Sequence, residues 1–227
     1  MVSKVSMVSA APAGKGKFLV PSAAPEAGRQ EKIPVPPDEL SLRLSRYAKK
    51  YPATAAWLQI PGTSLDYPVM SGADNQYYLN HLPDGSENAL GSLFLDYRQK
   101  EDSLHLIIYG HNGFGGSMFG MLKQYESPDY FAQHKTVKLA VEDSVFCCPI
   151  FSVRQVEADG GAYVLDFKDK NDMADYIKCA AADSLYPIDT DVKNAERVLT
   201  LSTCTGRSGK RWIIQAAFPA SDTAYKP

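Results

Sequence analysis

Apolar and polar positions divide the chain into short runs of period two, interrupted three times by runs of helical period. From Asp38 the apolar residues Leu40, Leu44, Tyr47, Ala48 and Tyr51 recur at helical spacing, with Pro36 and Pro37 before them and Pro52 after. Proline suits a first helical turn and disfavours helix in the residue before it, so these bounds predict a helix over 38–51 that packs on a larger body. Residues 56–60 and 65–70 are strand patterns separated by Pro61 and Gly62, which predicts a hairpin. Residues 74–79, DNQYYL, read as a polar and aromatic turn or short helix, and alternation returns at 92–97, SLFLDY. The run 104–109, LHLIIY, is nearly continuous apolar, as in a strand buried on both faces, and it ends in Gly110, His111 and Asn112.

A glycine-bearing loop follows. Met118, Met121, Leu122 and Tyr125 then predict a short helix capped by Ser117. Residues 137–141 and 144–156 are strand patterns, the second carrying Pro149 as the mark of an edge or bulge. Met173, Tyr176, Ile177, Ala180 and Ala181 set out an amphipathic helix to about 185. In 197–203, Val198, Thr200 and Ser202 fall on one face and Leu199 and Leu201 on the other, the pattern of a half-buried strand that stops at Cys204. Thr205, Gly206, Ser208 and Gly209 form a loop and 212–218 resumes the β pattern, so Cys204 and Arg211 are expected to face each other across neighbouring strand ends. Roughly eight strands and three helices, with no internal repeat and no βαβ series, predict a mainly β fold, a closed or nearly closed barrel decorated by helices.

The 227 residues are enough for one sizeable core, and 44% hydrophobic with 22% charged residues is ordinary for a soluble domain. A net charge of -2 gives no electrostatic footprint for nucleic acid, so no such partner is expected. No run of eighteen apolar residues occurs. Residues 1–37 are read as a disordered leader or linker, and 38–227 as the single domain. The first thirty residues are rich in Ala, Pro, Gly and Ser, carry Lys4, Lys15, Lys17 and Arg29 against Glu26, and lack the apolar core of a signal peptide.

Of the four cysteines, Cys147 and Cys148 are adjacent on one strand and point to opposite faces, which argues against a mutual bridge, and Cys179 lies off its helix's apolar stripe. No C-x-x-C spacing marks a zinc or redox site. Asp166, Asp169, Asp172 and Asp175 read as a solvated helix start, so no metal and no cofactor is expected. Cys204 differs through its place at a strand end near cations, where positive charge favours the thiolate. A thiol nucleophile needs a group to manage its proton, and histidine suits that task. His81, His105 and His134 read as solvated or structural. His111 stands at an exposed strand end followed by glycines. Arg211 supplies a donor for the oxyanion of a tetrahedral intermediate.

These residues lie in IYGHN around His111, TLSTC at Cys204 and KRWII with Arg211, and in that order they resemble the motifs of the sortases, membrane-anchored cysteine transpeptidases of Gram-positive bacteria. The class B branch is suggested by the helix before WLQIPGTSLDYPV, by GSLFLDY and by the extra helix before the cysteine strand. The resemblance implies an eight-stranded sortase barrel. It implies cleavage of a C-terminal sorting signal after threonine, a thioacyl-enzyme on Cys204, and transfer to an amine of a lipid-linked peptidoglycan precursor or to a pilin lysine. His111 would be general acid and base, Arg211 would hold substrate and oxyanion, and the Thr205 N–H would be a second donor. Asn75, Leu79, Tyr163, Val164 and Ser202 would touch the peptide. Arg207 competes with Arg211 for its role. The resemblance also implies anchoring at the outer face of the membrane, with 1–37 then the stub left after removal of an anchor. Two rivals stand beside this reading: a cysteine endopeptidase that uses water, and a non-catalytic binding module with a structural Cys204.

Overall fold

The computed structural model describes residues 38–100, 102–158, 160–204 and 209–219; the leader at 1–37, Thr205 and Arg207 lie outside the described residues. Chain order begins with helix α1 (Glu39–Lys50) and strands β1 (Thr54–Gln59), β2 (Asp66–Met70), β3 (Leu93–Leu95) and β4 (His105–His111). It continues through α2 (Pro128–Gln133), β5 (Thr136–Val141), β6 (Ser144–Glu157), α3 (Lys170–Ala182), β7 (Ala195–Cys204) and β8 (Lys210–Pro219). The eight strands close into one barrel in the order β1-β2-β3-β4-β7-β8-β6-β5. Closure pairs every strand on both sides, so the barrel itself leaves no open sheet edge.

Alternation builds the core. On β4, Leu106 and Ile108 point inward to join Leu58, Val69, Leu139, Phe146, Leu199, Leu201 and Ile214, all within 1% of full burial. The opposite faces are covered as well. Helix α1 lays Leu40 and Leu44 on Trp57, Ala140 and Val145. Its first turn is capped by the Asp38 carboxylate, which accepts from the Leu40 N–H at 2.8 Å. Asp66 ties helix to barrel by accepting from Arg43 Nη1, Trp57 Nε1 and Gln59 Nε2. Helix α3 covers β6, β7 and β8 through Met173, Ile177 and Ala180, packed on Phe151, Val198 and Ala217.

That cover corrects the reading of 197–203 as half-buried. Val198, Leu199, Thr200, Leu201 and Ser202 are all fully buried. The face carrying Thr200 and Ser202 is sealed by segments distant in sequence, and its hydroxyls are satisfied there by other side chains. Ser117 is not the cap of the next helical stretch, a 3₁₀ helix over Phe119–Glu126 whose N-cap is Met118 at φ 51°. The Ser117 hydroxyl instead donates to the Phe114 carbonyl at 3.0 Å, closing the preceding turn. Pro149 lies where β6 passes from one neighbour to the other. It faces Thr136 of β5, pairing with β8 starts at Ile150, and the ladder is bulged between Ile150 and Ser152. A residue with no N–H is tolerated at such a handover.

Candidate active site

Strands β4 and β7 run parallel and in register, from His105 opposite Val198 to His111 opposite Cys204. Their C-terminal ends therefore share one rim of the barrel, about 5 Å apart across the ladder. Strand β8 is antiparallel to β7 and starts from the same rim, with Ser202 opposite Ile213. Thr203 carries this pairing one step further, its hydroxyl accepting from the Trp212 N–H at 3.1 Å. Continued by one more residue, the register sets Arg211 opposite Cys204. Arg211 Nη1 donates to the Thr203 carbonyl at 2.7 Å, which ties the guanidinium to the backbone immediately before the cysteine.

Period two decides which way His111 points. His105, Ile107 and Tyr109 lie on the outer face of β4, and His111 continues that row. Its Nε2 lies 2.5 Å from the Leu79 carbonyl oxygen. A carbonyl can only accept, so Nε2 of the neutral ring carries the proton and Nδ1 is the acceptor nitrogen. Gly110 turns inward beside it, and a Cβ there would meet Leu93 at 2.3 Å and Phe119 at 2.9 Å. The end of β4 can press this close to its neighbours only with glycine at that place. Beyond His111 a groove of about 660 Å³ opens between Asp74, Tyr77, Leu79, Asn80 and Ala89.

Two of the predicted peptide contacts belong to one cluster on the outer face of the barrel: Leu79 and Tyr163 both pack against Met70, Tyr78, Phe94, Ile107 and Tyr109. Leu79 also lines the groove. Asn75 stands beside the groove and accepts from the Tyr97 N–H through Oδ1 at 3.0 Å. Ser202 is closed to solvent, and its hydroxyl is 2.9 Å from the Tyr163 hydroxyl, so it reaches the surface only through that ring. Val164 is exposed, while its carbonyl faces inward to His105.

Some contributors escaped the sequence reading. The Leu79 carbonyl, which orients His111, is backbone and carries no sequence signal. Asp96 is buried, accepts from Arg98 at 2.6 and 2.9 Å, and also accepts from the Tyr109 hydroxyl at 3.0 Å. Burial alone would raise its carboxyl pKa, yet these hydrogen bonds hold it below the usual range. The i, i+2 pair Asp-x-Arg at the end of GSLFLDYR was the available clue. Of the histidines set aside, His81 stacks on Tyr77 and bonds its carbonyl, and His134 bonds the Pro61 carbonyl at 3.0 Å. Among the described residues, no group of three or more His, Cys, Asp or Glu side chains is placed to hold a metal ion.

Residues 58–218 match the sortase domain family. The chain belongs to the sortase family. It is 35% identical over 150 residues to sortase B of Listeria monocytogenes, an alignment that covers 65% of this chain and 61% of that relative. The sortase thus spans about three fifths of that relative's length. A Staphylococcus aureus sortase B-substrate complex superposes with a TM-score of 0.73 at 25% identity, covering 80% of this chain and 86% of that one. A sortase B complexed with triglycine superposes with a TM-score of 0.72 at 26% identity over 80% of this chain and 87% of that one. The mainly β closed barrel with its N-terminal helix is therefore the class B sortase fold. No helix among the described residues is long and apolar enough to cross a membrane.

Proposed function

We propose that this sortase is a class B cysteine transpeptidase acting at the outer face of the cell membrane. It cleaves a C-terminal sorting signal after threonine and joins the new carboxyl end to an amine. The observation that carries the reading is the shared rim, where Cys204 and His111 are register partners and Arg211 is tied to the Thr203 carbonyl. The thiolate attacks the threonyl carbonyl carbon, a C–S bond forms, and the oxyanion is met by Arg211 and the Thr205 N–H. His111, carrying on Nδ1 the proton taken from the Cys204 thiol, gives that proton to the departing nitrogen as the C–N bond breaks. In the second half an amine attacks the thioester, His111 takes up its proton, and the C–S bond breaks to regenerate the thiolate.

The peptide lies along Asn75, Leu79, Tyr163 and Val164, with Ser202 beneath. Two observations on relatives support this direction, the sortase B-substrate complex and the sortase B complexed with triglycine, an amine-ended peptide. The acceptor we assign is the amine of a lipid-linked peptidoglycan precursor.

The test is mass spectrometry of the enzyme after incubation with a library of threonine-containing sorting peptides. The wild type should gain the mass of a peptide cut at its threonine. Cys204→Ala should gain nothing while its circular dichroism is unchanged. An adduct on the alanine variant, or none on the wild type with any member, overturns the reading.

A further inference from the structure

Between the outer face of β4 and the segment 162–164 runs a chain of buried and half-buried polar side chains. His105 is fully buried at its centre. Its Nδ1 is 2.5 Å from the Val164 carbonyl oxygen and its Nε2 is 2.7 Å from Thr200 Oγ1. The carbonyl can only accept, so Nδ1 bears the proton and Nε2 accepts from the Thr200 hydroxyl. The Thr200 oxygen accepts from Gln215 Nε2 at 2.9 Å. The same amide nitrogen donates to the Tyr176 hydroxyl oxygen at 2.7 Å, and that hydroxyl donates to the Ala162 carbonyl at 2.9 Å. Gln215 Oε1 accepts from Arg154 Nη2 at 3.0 Å.

The donors of His105, Thr200, Gln215 and Tyr176 all meet the acceptors described above with a neutral imidazole. Burial supplies that state, pushing the His105 pKa down to about 4. Both branches end on the backbone of one short segment, at Val164 through His105 and at Ala162 through Tyr176. Tyr163 lies between these two anchors and reaches over to Ser202, two residues before Cys204 on β7, with its ring 6.2 Å from that of Tyr109. Arg154 Nε is the one buried atom here without a partner; with the His105, Thr200, Gln215 and Tyr176 side chains paired, a slip of the segment would leave further groups unpaired.

We infer that His105 is a positioning residue, holding the backbone of residues 162–164 along the outer face of β4 and β7 and so setting the wall of the peptide groove at Tyr163. The inference rests on the proposed transpeptidase reading for its substrate, and on hydrogen bonds alone for its mechanics. His105 lies six residues before His111 on the same face of β4, so the strand that presents the proton-transfer group also fixes the groove wall.

Two substitutions separate the branches of the imidazole. Asparagine places an amide nitrogen as many bonds from Cβ as Nδ1, and so keeps the donor to Val164. Glutamine reaches as far as Nε2, and so keeps only the Thr200 side. His105→Gln should raise the KM for a sorting peptide about tenfold with kcat nearly unchanged, whereas His105→Asn should recover most of that loss. In hydrogen exchange, amides over 160–168 should open faster in His105→Gln, and those of β1 and β2 should not. Tyr176→Phe, which removes the donor to Ala162 and the acceptor of Gln215 Nε2 but keeps the His105 branch to Val164, should shift both readouts in the same direction by less. Unchanged exchange over 160–168 in His105→Gln overturns the tether. Faster exchange with wild-type KM, or equal KM increases in the Gln and Asn variants, overturns the role in the groove. If the wild type forms no acyl-enzyme with any peptide, the functional reading fails, and the exchange pattern still decides the tether.

Discussion

The guanidinium of Arg211 is held by a backbone oxygen, the Thr203 carbonyl at 2.7 Å, and so its place does not depend on a second charged side chain. A planar fork can keep that bond and still aim other N–H groups at a developing oxyanion, whereas an ammonium on a flexible stem is a point charge that must choose. Arg211→Lys should therefore behave more like Arg211→Ala than like the wild type. Losing one preorganised oxyanion donor costs on the order of 10²- to 10³-fold in kcat. Both variants should fall in that range for peptide cleavage under single-turnover conditions, with Tm within a few degrees of the wild type. Arg207→Ala should be nearly silent in the same assay, because Arg211 lies on the strand paired to that of the cysteine and is tied to the Thr203 carbonyl. Equal losses at both positions would move the oxyanion role away from Arg211 alone.

At the scale of elements, the two parallel strands β4 and β7 carry the site, and His105 is where the chemistry of burial can be read out as stability. The imidazole titrates near pH 6.5 in an unfolded chain and near 4 in this fold, where burial opposes the charge, the Val164 carbonyl favours it, Arg154 opposes it and Asp96 favours it. Below about pH 6.5 the unfolded chain takes up a proton that the native state refuses. The stability linked to this group is thus complete above that pH and drains away as the pH falls to about 4. The loss is on the order of 3 kcal/mol for a shift of this size. Comparing the wild type with His105→Asn by chemical denaturation at several pH values isolates it, because the variant has no imidazole to titrate. The carboxylates of Asp66 and Asp96, both held below the usual range, lose their contributions only at lower pH and cancel in the difference. A pH-independent gap between the two proteins from pH 7 to 4 would contradict a buried neutral His105. Tyr176 is the other titratable side chain packed on this ring, 5.5 Å away, and burial raises its pKa further from that window.

For the whole molecule, barrel closure turns sequence separation into proximity, and this step shows what the chain reveals in one dimension and what it hides. The continuous apolar run LHLIIY and the alternation in RVLTLST identified the strands. The Cys204–Arg211 corner was legible too, since β7 and β8 are consecutive strands joined by a short loop. That β4 lies beside β7 was not legible, because the partnership is made by a crossover of more than eighty residues through α2, β5, β6 and α3, and no local pattern encodes it. Nor could the outer face of β7 be known as buried, since its cover comes from α3 and from 162–164, each individually an ordinary amphipathic or polar segment. The backbone carbonyls of Leu79, Val164 and Thr203 hold His111, His105 and Arg211, and backbone groups leave no trace in residue identity.

One consequence of a rim open on the His111 side separates a transferase from a peptidase. If an amine enters after the first product leaves, initial rates at varied peptide and varied triglycine should give parallel double-reciprocal lines, as a covalent intermediate requires. The apparent kcat should rise with amine while kcat/KM for the peptide stays constant, because that ratio ends at the acylation step, before the amine acts. Mass spectrometry should show the threonine-ended fragment converted from the free acid to the triglycine adduct as the amine increases. A lysine side-chain amine offered on a peptide should compete poorly with triglycine; if it competes better, the acceptor is a pilin-type lysine. If neither amine alters the rate or the product, water is the acceptor and the enzyme is an endopeptidase on a sortase barrel.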